Sequence, residues 1–222
     1  MMGGAVDLGK VFGVNVRIEA TVLLLAAFII VNDFGRSGTA GLLEGATFAV
    51  LLIFSIYLHE MGHAFGGWLF GLRTLDVTLT FFGGYARVVG VARGSFQNVV
   101  VSFGGPAANL LIAGILYWYQ ANIDGSSDLV ARLAFANLFL GVFNLLPGYP
   151  LDGGHIAAAI LSNFMPQSRA RLVTGYIGVA IGFLLIVLGL QSGLNGAFTM
   201  LIGLMLIMAA GQEIQMNSRG RF

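Results

Sequence analysis

The stretch Ser55–Gly71, SIYLHEMGHAFGGWLFG, decides the reading of this chain, because it sets His59, Glu60 and His63 in a run otherwise dominated by apolar and glycine residues. On a helix, residues four apart are turned by about 400°, a net ~40°, and separated by about 6 Å along the axis. The imidazoles of His59 and His63 can therefore reach one cation. Glu60 sits beside the first of them, where its carboxylate could take a proton from a water in the cation's open coordination position, the general-base arrangement of a zinc hydrolase. An ionisable residue at membrane depth costs at least ~2.5 kcal/mol and is a functional feature by default. Three within five positions argue against a purely structural role, a structural metal being the remaining alternative.

Composition sets the class independently of the motif. Of 222 residues 57% are hydrophobic, 9% are charged and 33 are glycine, against about 25% charged and about 7% glycine in an average soluble chain. That is an integral, multi-pass membrane protein whose environment is the lipid bilayer, read as one domain over 1–222. Between helices in lipid no hydrophobic drive operates, so close backbone approach at glycine must supply the packing. A net charge of +1 argues against nucleic acid as a partner. With no cysteine there is no disulfide, thiol nucleophile or thiolate ligand, so any metal must be held by His, Asp or Glu.

The expected fold is all-α and polytopic, with about six transmembrane helices and a small membrane-associated β-hairpin. Met1 to Val16 is Gly-rich and mildly alternating, an extended or interfacial lead-in. The first span covers Ala20–Val31, reaching Asn32 if counted from Val16; a cleavable leader is its alternative, and no small-x-small site follows at Asn32 to Arg36. The second begins near Leu42 or Glu44 and runs to about Phe70. Thr78 to Arg93, aromatic and β-branched around Gly83 and Gly84, reads as the hairpin. Further spans are expected at about Phe96–Trp118, Leu129–Leu146, Leu172–Leu190 and Ala197–Gln212, with a break at PGYP (Pro147–Pro150) and a short segment to Phe164.

Six spans put both termini on one side, and nine of the eleven basic residues then fall on that side, which makes it cytoplasmic. The second helix runs inward, and His59 lies fifteen residues after Glu44, about 22 Å into a core of roughly 30 Å. A metal there would sit about 8 Å from the cytoplasmic face, with the site opening to that side. Asn144, fifteen residues after Leu129, reaches the same level. Pro147 and Pro150 stop the chain from leaving the membrane, Gly153 and Gly154 permit a tight turn, and Asp152 becomes the natural third ligand; a helix N-cap is its alternative role. His155 reads as an outer-sphere donor, with ligation or a place at the membrane interface as the alternatives. Asn144 is either a packing hydrogen bonder or a contact to substrate backbone.

The chain resembles the site-2 protease family of intramembrane zinc metalloproteases. HEMGH at His59–His63 and NLLPGYPLDGG at Asn144–Gly154 carry the resemblance, the second being similar to the family's N-x-x-P-x-x-x-x-D-G signature; GGPAAN at Gly104–Asn109 is similar to a looser third motif. The resemblance implies one Zn2+ held by His59, His63 and Asp152, Glu60 as catalytic base, and Asn144 and Pro147 positioning substrate. It also implies that the hairpin at Gly83 and Gly84 holds an unwound substrate strand by β-augmentation. The implied activity is hydrolysis of a peptide bond within or near the transmembrane segment of a single-span membrane substrate, as in regulated intramembrane proteolysis. A regulatory membrane partner or a homo-oligomer would fit the same reading. Family members with PDZ or CBS modules have longer chains, so 1–222 is either a minimal protein or a core without a C-terminal regulatory domain. Counted from Phe96, Asn109 lies about 20 Å from the cytoplasmic face, deeper than the metal, and its role, outer-sphere or otherwise, stays open.

Two other classes share these features. A transporter would also place His, Glu and Asp at membrane depth but predicts an inverted repeat, which the two halves lack. A non-catalytic scaffold with a structural zinc predicts a fourth protein ligand, for which His155 is the nearby candidate.

Overall fold

The structure is a computed structural model describing residues 5–11, 13–80, 83–90, 94–123 and 127–219. Residues 1–4 and 12 of the expected lead-in, 81–82 and 91–93 of the expected hairpin, and Arg221 of the charge count lie outside these residues. In chain order the elements are β1 (Ala5–Val11), β2 (Val14–Glu19), α1 (Thr21–Trp68), β3 (Arg73–Thr80), β4 (Gly83–Val89), α2 (Ser95–Asn122), α3 (Asp128–Asn144), α4 (Asp152–Leu161), α5 (Gln167–Gln191), a 3-10 turn (Gly193–Gly196) and α6 (Ala197–Arg219). Among the described residues four helices, α1, α2, α5 and α6, are long and apolar enough to cross a membrane. Helix α3, at 17 residues, is about 25 Å long, short of a ~30 Å core.

The chain clusters into two compact units, 1–91 with 104–142 and 92–103 with 143–222. In the first, the two spans expected at Ala20–Val31 and Leu42–Phe70 lie in one element, α1. Its 48 residues would reach about 72 Å if straight. The helical path breaks at Gly38 (φ 61°, ψ −136°), a left-handed backbone that favours glycine. Beyond it the chain returns: a Cβ on Gly45 would lie 3.1 Å from Ile30 Cα, a pair that a straight helix would hold ~22 Å apart. At this fold-back Arg132 of α3 pairs with the buried Asp33 through both carboxylate oxygens (3.2 and 2.9 Å) and stacks over Phe48.

The small β-element expected as a hairpin is a four-stranded sheet of order β1-β2-β3-β4. The hairpin β3–β4 is there, and β2 of the lead-in joins it in parallel through Asn15–Ile18 against Asp76–Leu79. The correction has a simple cause: the alternation in the lead-in marks a strand, but its partner is about sixty residues away and local pattern does not name it. Val14, Val77 and Leu79 bury one face of the sheet against Val22, Leu25, Ile29, Ala49 and Ile56 of α1. Helix α1 ends in a Schellman turn, with Gly71 at φ 73° and the Leu72 N–H donating to Gly67 O (3.0 Å).

In the second unit, α5 and α6 pack backbone to backbone. A Cβ on Gly182 would lie 2.6 Å from Gly203 O, one on Gly203 2.5 Å from Gly182 O, and one on Gly175 2.8 Å from Ile214 Cγ1. The segment 145–151 lies over the start of α4 and against α5. The Tyr149 N–H donates to Thr174 O (3.1 Å), and Gly148 and Gly178 leave no room for a Cβ between them. Gly153 and Gly154 were expected to make a tight turn; neither has positive φ. They are the first turns of α4, and any Cβ there would strike the backbone of Leu145 or Gly148, so close approach is what they supply.

Candidate metal centre

Helix α1 places His59 and Glu60 in the interior, 8% and 5% exposed, with His63 one turn on. The rings of His59 and His63 stand edge to face, and their Nε2 atoms are 3.2 Å apart. Two nitrogens at ~2.05 Å from a tetrahedral zinc would be about 3.3 Å apart, so the observed spacing fits one ion. The space in front of both nitrogens is kept open by a missing side chain. A Cβ on Gly105 of α2 would lie 2.6 Å from His59 Nε2 and closer still to His63 Nε2. Next to these residues in the chain, Gly62 and Gly104 bring the two helix backbones into direct contact, where a Cβ on either residue would overlap the other's carbonyl. That contact sets the register of α2 against the motif.

Register then decides what stands behind His59. Its Nδ1 lies 2.5 Å from Asn109 Oδ1, and Asn109 is fully buried. An amide oxygen only accepts, so His59 Nδ1 carries the proton and Nε2 presents its lone pair to the open space. Asn109 is therefore level with His59, not deeper, which corrects the depth count. The count started at Phe96 as though α2 entered the bilayer there at right angles, whereas the Gly62–Gly104 crossing fixes its height. On His63, the Gly105 N–H donates to Nδ1 over a long 3.3 Å. That arrangement leaves the His63 proton on Nε2, aimed at His59; offering Nε2 to an ion would require the proton to sit on Nδ1 instead, at the cost of the weak Gly105 bond.

Of the other expected site residues, Gly83 begins β4 at φ 128°, its carbonyl accepting from Thr80 Oγ1 at 3.2 Å. Gly84 lies directly against the general-base candidate: a Cβ there would be 2.5 Å from Glu60 Cγ and 2.9 Å from Oε1. Asn144 closes α3 and Pro147 is exposed in the following loop. Asp152 is the first residue of α4, whose N-cap is Leu151, so the N-cap role does not fall to Asp152. His155, on the same helix, meets the Tyr149 hydroxyl through Nδ1 at 3.0 Å. His59 and His63 belong to the first unit and Asp152 to the second. Sequence reading missed Gly105, whose signal is its place in GGPAAN, and also Asn137, which bonds Asn109, and Ser55, which bonds Asn137.

Residues 47–125 and 120–188 match peptidase family M50. The chain belongs to family M50. The solved Site-2 Protease from Methanocaldococcus jannaschii is similar to it with a TM-score of 0.73 at 26% identity, covering 95% of each chain. Zinc metalloprotease MJ0392 of the same organism is 28% identical over 96% of this chain and 61% of its own length. Rip3 of Mycobacterium tuberculosis is 32% identical over 96% of this chain and 59% of its own. The chain thus spans about three fifths of the length of these curated relatives. Zinc is the metal named for its M50 relatives, and the paired Nε2 atoms of His59 and His63 are donors suited to it.

Proposed function

We propose that this M50 protein is an intramembrane zinc metalloendopeptidase that hydrolyses a peptide bond within or near the transmembrane segment of a membrane-anchored substrate, in regulated intramembrane proteolysis. The observation that carries the reading is the convergence of the His59 and His63 Nε2 atoms on a space that Gly105 keeps open, with Glu60 buried beside it. The names of its relatives support it.

His59, His63 and Asp152 would hold the ion, three protein ligands being the usual complement of a catalytic zinc. A bound zinc supplies a Lewis acid for the scissile carbonyl and lowers the pKa of a bound water. Glu60, which is not a ligand, takes the proton of the attacking water and hands it to the leaving amine nitrogen. Gly84 lets β4 lie on the Glu60 side chain, and β4 ends the sheet order, so a substrate strand added at that edge passes the base. Asn144 at the end of α3 and Pro147 in the following loop, which is braced on α5, position the substrate backbone. A helical substrate hides its carbonyls in its own hydrogen bonds, so spans weakened by glycine or proline should be cut most readily.

The two halves of α1 with α2, α3, α5 and α6 make six spans in this reading, both termini and the site opening facing the cytoplasm. The basic-residue count supports that orientation. The test is direct. Zinc content and cleavage of a single-span substrate are measured for the wild type and Glu60→Gln in detergent. One zinc per chain in both with cleavage by the wild type alone is expected; equal cleavage, or none by zinc-loaded wild type, ends the reading.

A further inference from the structure

Behind His59 a line of buried polar side chains crosses three helices, and its hydrogens can be placed by elimination. Ser55 of α1 donates its hydroxyl to Leu51 O (3.0 Å), leaving Oγ as an acceptor. Asn137 of α3 spends both amide hydrogens, one on that Oγ (3.1 Å) and one on Leu133 O (2.9 Å), so its Oδ1 must face the other way. There it accepts from Asn109 Nδ2 (2.8 Å). Asn109 is thereby turned with Oδ1 toward His59 Nδ1 (2.5 Å). Asn109 and Asn137 are 0% exposed and Ser55 3%. Turning Asn137 over would set its oxygen against the Leu133 carbonyl and its NH2 against that of Asn109, with no water to relieve either clash.

We propose that Asn137 and Ser55 are positioning residues of the metal centre. Acting through Asn109, they lock His59 in the tautomer that keeps the proton on Nδ1 and offers Nε2 to the ion. This rests on the metal-site reading above. Asn109 alone does not suffice, since an amide can present either end to an imidazole; Asn137 selects the end, and Ser55 with Leu133 O selects the orientation of Asn137. Outer-shell partners of a ligating histidine commonly set affinity in this way.

The experiment is a zinc titration of the full chain in detergent against a competing chelator, with 15N-histidine NMR as a second readout. The chain has three histidines, so six ring nitrogens are followed. Asn137→Leu is expected to weaken zinc binding by about 10–100-fold and, without zinc, to show His59 in both tautomers. Asn137→Asp, which as a carboxylic acid still accepts from Asn109 and donates to Leu133 O, should stay within a few-fold of wild type. Asn109→Leu with Asn137→Leu should bind no more weakly than Asn109→Leu alone. Thr174→Val, which loses a buried hydroxyl bonded to Ala170 O, should leave zinc affinity unchanged. If Asn137→Leu fails to fold, Ser55→Ala carries the test, with a smaller loss and a mixed His59 tautomer expected. Folded variants with wild-type affinity and a single His59 tautomer, or fully additive losses at 109 and 137, overturn the proposal. A wild type that binds no zinc overturns the metal-site reading with it, and is distinguishable on that ground.

Discussion

Gly105→Ala tests the centre with a single methyl group. The new Cβ would stand 2.6 Å from His59 Nε2, where ordinary contact begins at 3.4 Å. Relief therefore needs a shift of 3.4 − 2.6 = 0.8 Å at His59, and a larger one at His63. Helix α2 cannot supply it by backing away without opening the Gly62–Gly104 contact and stretching the 2.5 Å bond from His59 to Asn109. The imidazoles must move instead, by about four times the ~0.2 Å that metal–ligand distances tolerate. Zinc affinity should fall by at least ~100-fold, the upper end of what outer-shell changes cost, equivalent to ~2.7 kcal/mol. The assay is zinc retained after a chelator wash together with a competition titration. Thermal unfolding of the zinc-free protein is the control, since alanine in a helix gains up to ~1 kcal/mol over glycine. A Gly105→Ala protein that keeps one zinc per chain at wild-type affinity would refute the placement of the ion in front of these two nitrogens.

Four further outcomes follow from other parts of the molecule. Gly84→Ala should retain zinc yet lose most cleavage, because its Cβ presses on Glu60 Cγ and Cδ (2.5 and 2.8 Å) and not on a ligand; zinc content and turnover measured on one preparation separate the two. Arg132→Ala strands the buried Asp33 and should cost ~3 kcal/mol, the low end for a broken buried pair because the Arg132 side chain is partly exposed; adding Asp33→Asn should restore most of it in thermal unfolding. Gly182→Val drives a side chain into Gly203 O and should destabilise by ~1–3 kcal/mol while zinc affinity holds. Asp7, outside the spans, has its carboxyl pKa lowered by the Asn15 amide, the Gly9 N–H and the Arg17 guanidinium. A folded pKa below the unfolded 3.8 gives stability that is full above that value and lost as pH falls through the folded one. Amide protection in β1–β2 should drop in that acid range, and Asp7→Asn should remove the dependence.

The motif on α1 was legible because helical periodicity brings His59 and His63 to one face, and because charged groups among lipid-facing side chains need a reason. The fold-back at Gly38 was legible as two apolar runs separated by a polar, glycine-containing stretch. What stayed hidden depends on how helices cross. Asn137 looks like any packing asparagine until the Gly62–Gly104 contact brings Asn109 between it and His59. Asp33 and Arg132 are 99 residues apart, and nothing local to either predicts the pair. Gly153 and Gly154 show the same limit, since composition does not distinguish a glycine that turns the chain from one that lets another backbone touch it.

The central claim is hydrolysis by this site inside a membrane segment. Purified wild type and Glu60→Gln are incubated in 18O-labelled water with a single-span substrate in lipid vesicles, and the products are sized by mass spectrometry. The expected result is a new C-terminus within or beside the span, carrying one 18O, formed by the wild type and absent with Glu60→Gln. The same labelled product from both proteins, or a zinc-loaded wild type that leaves the substrate whole, would contradict it.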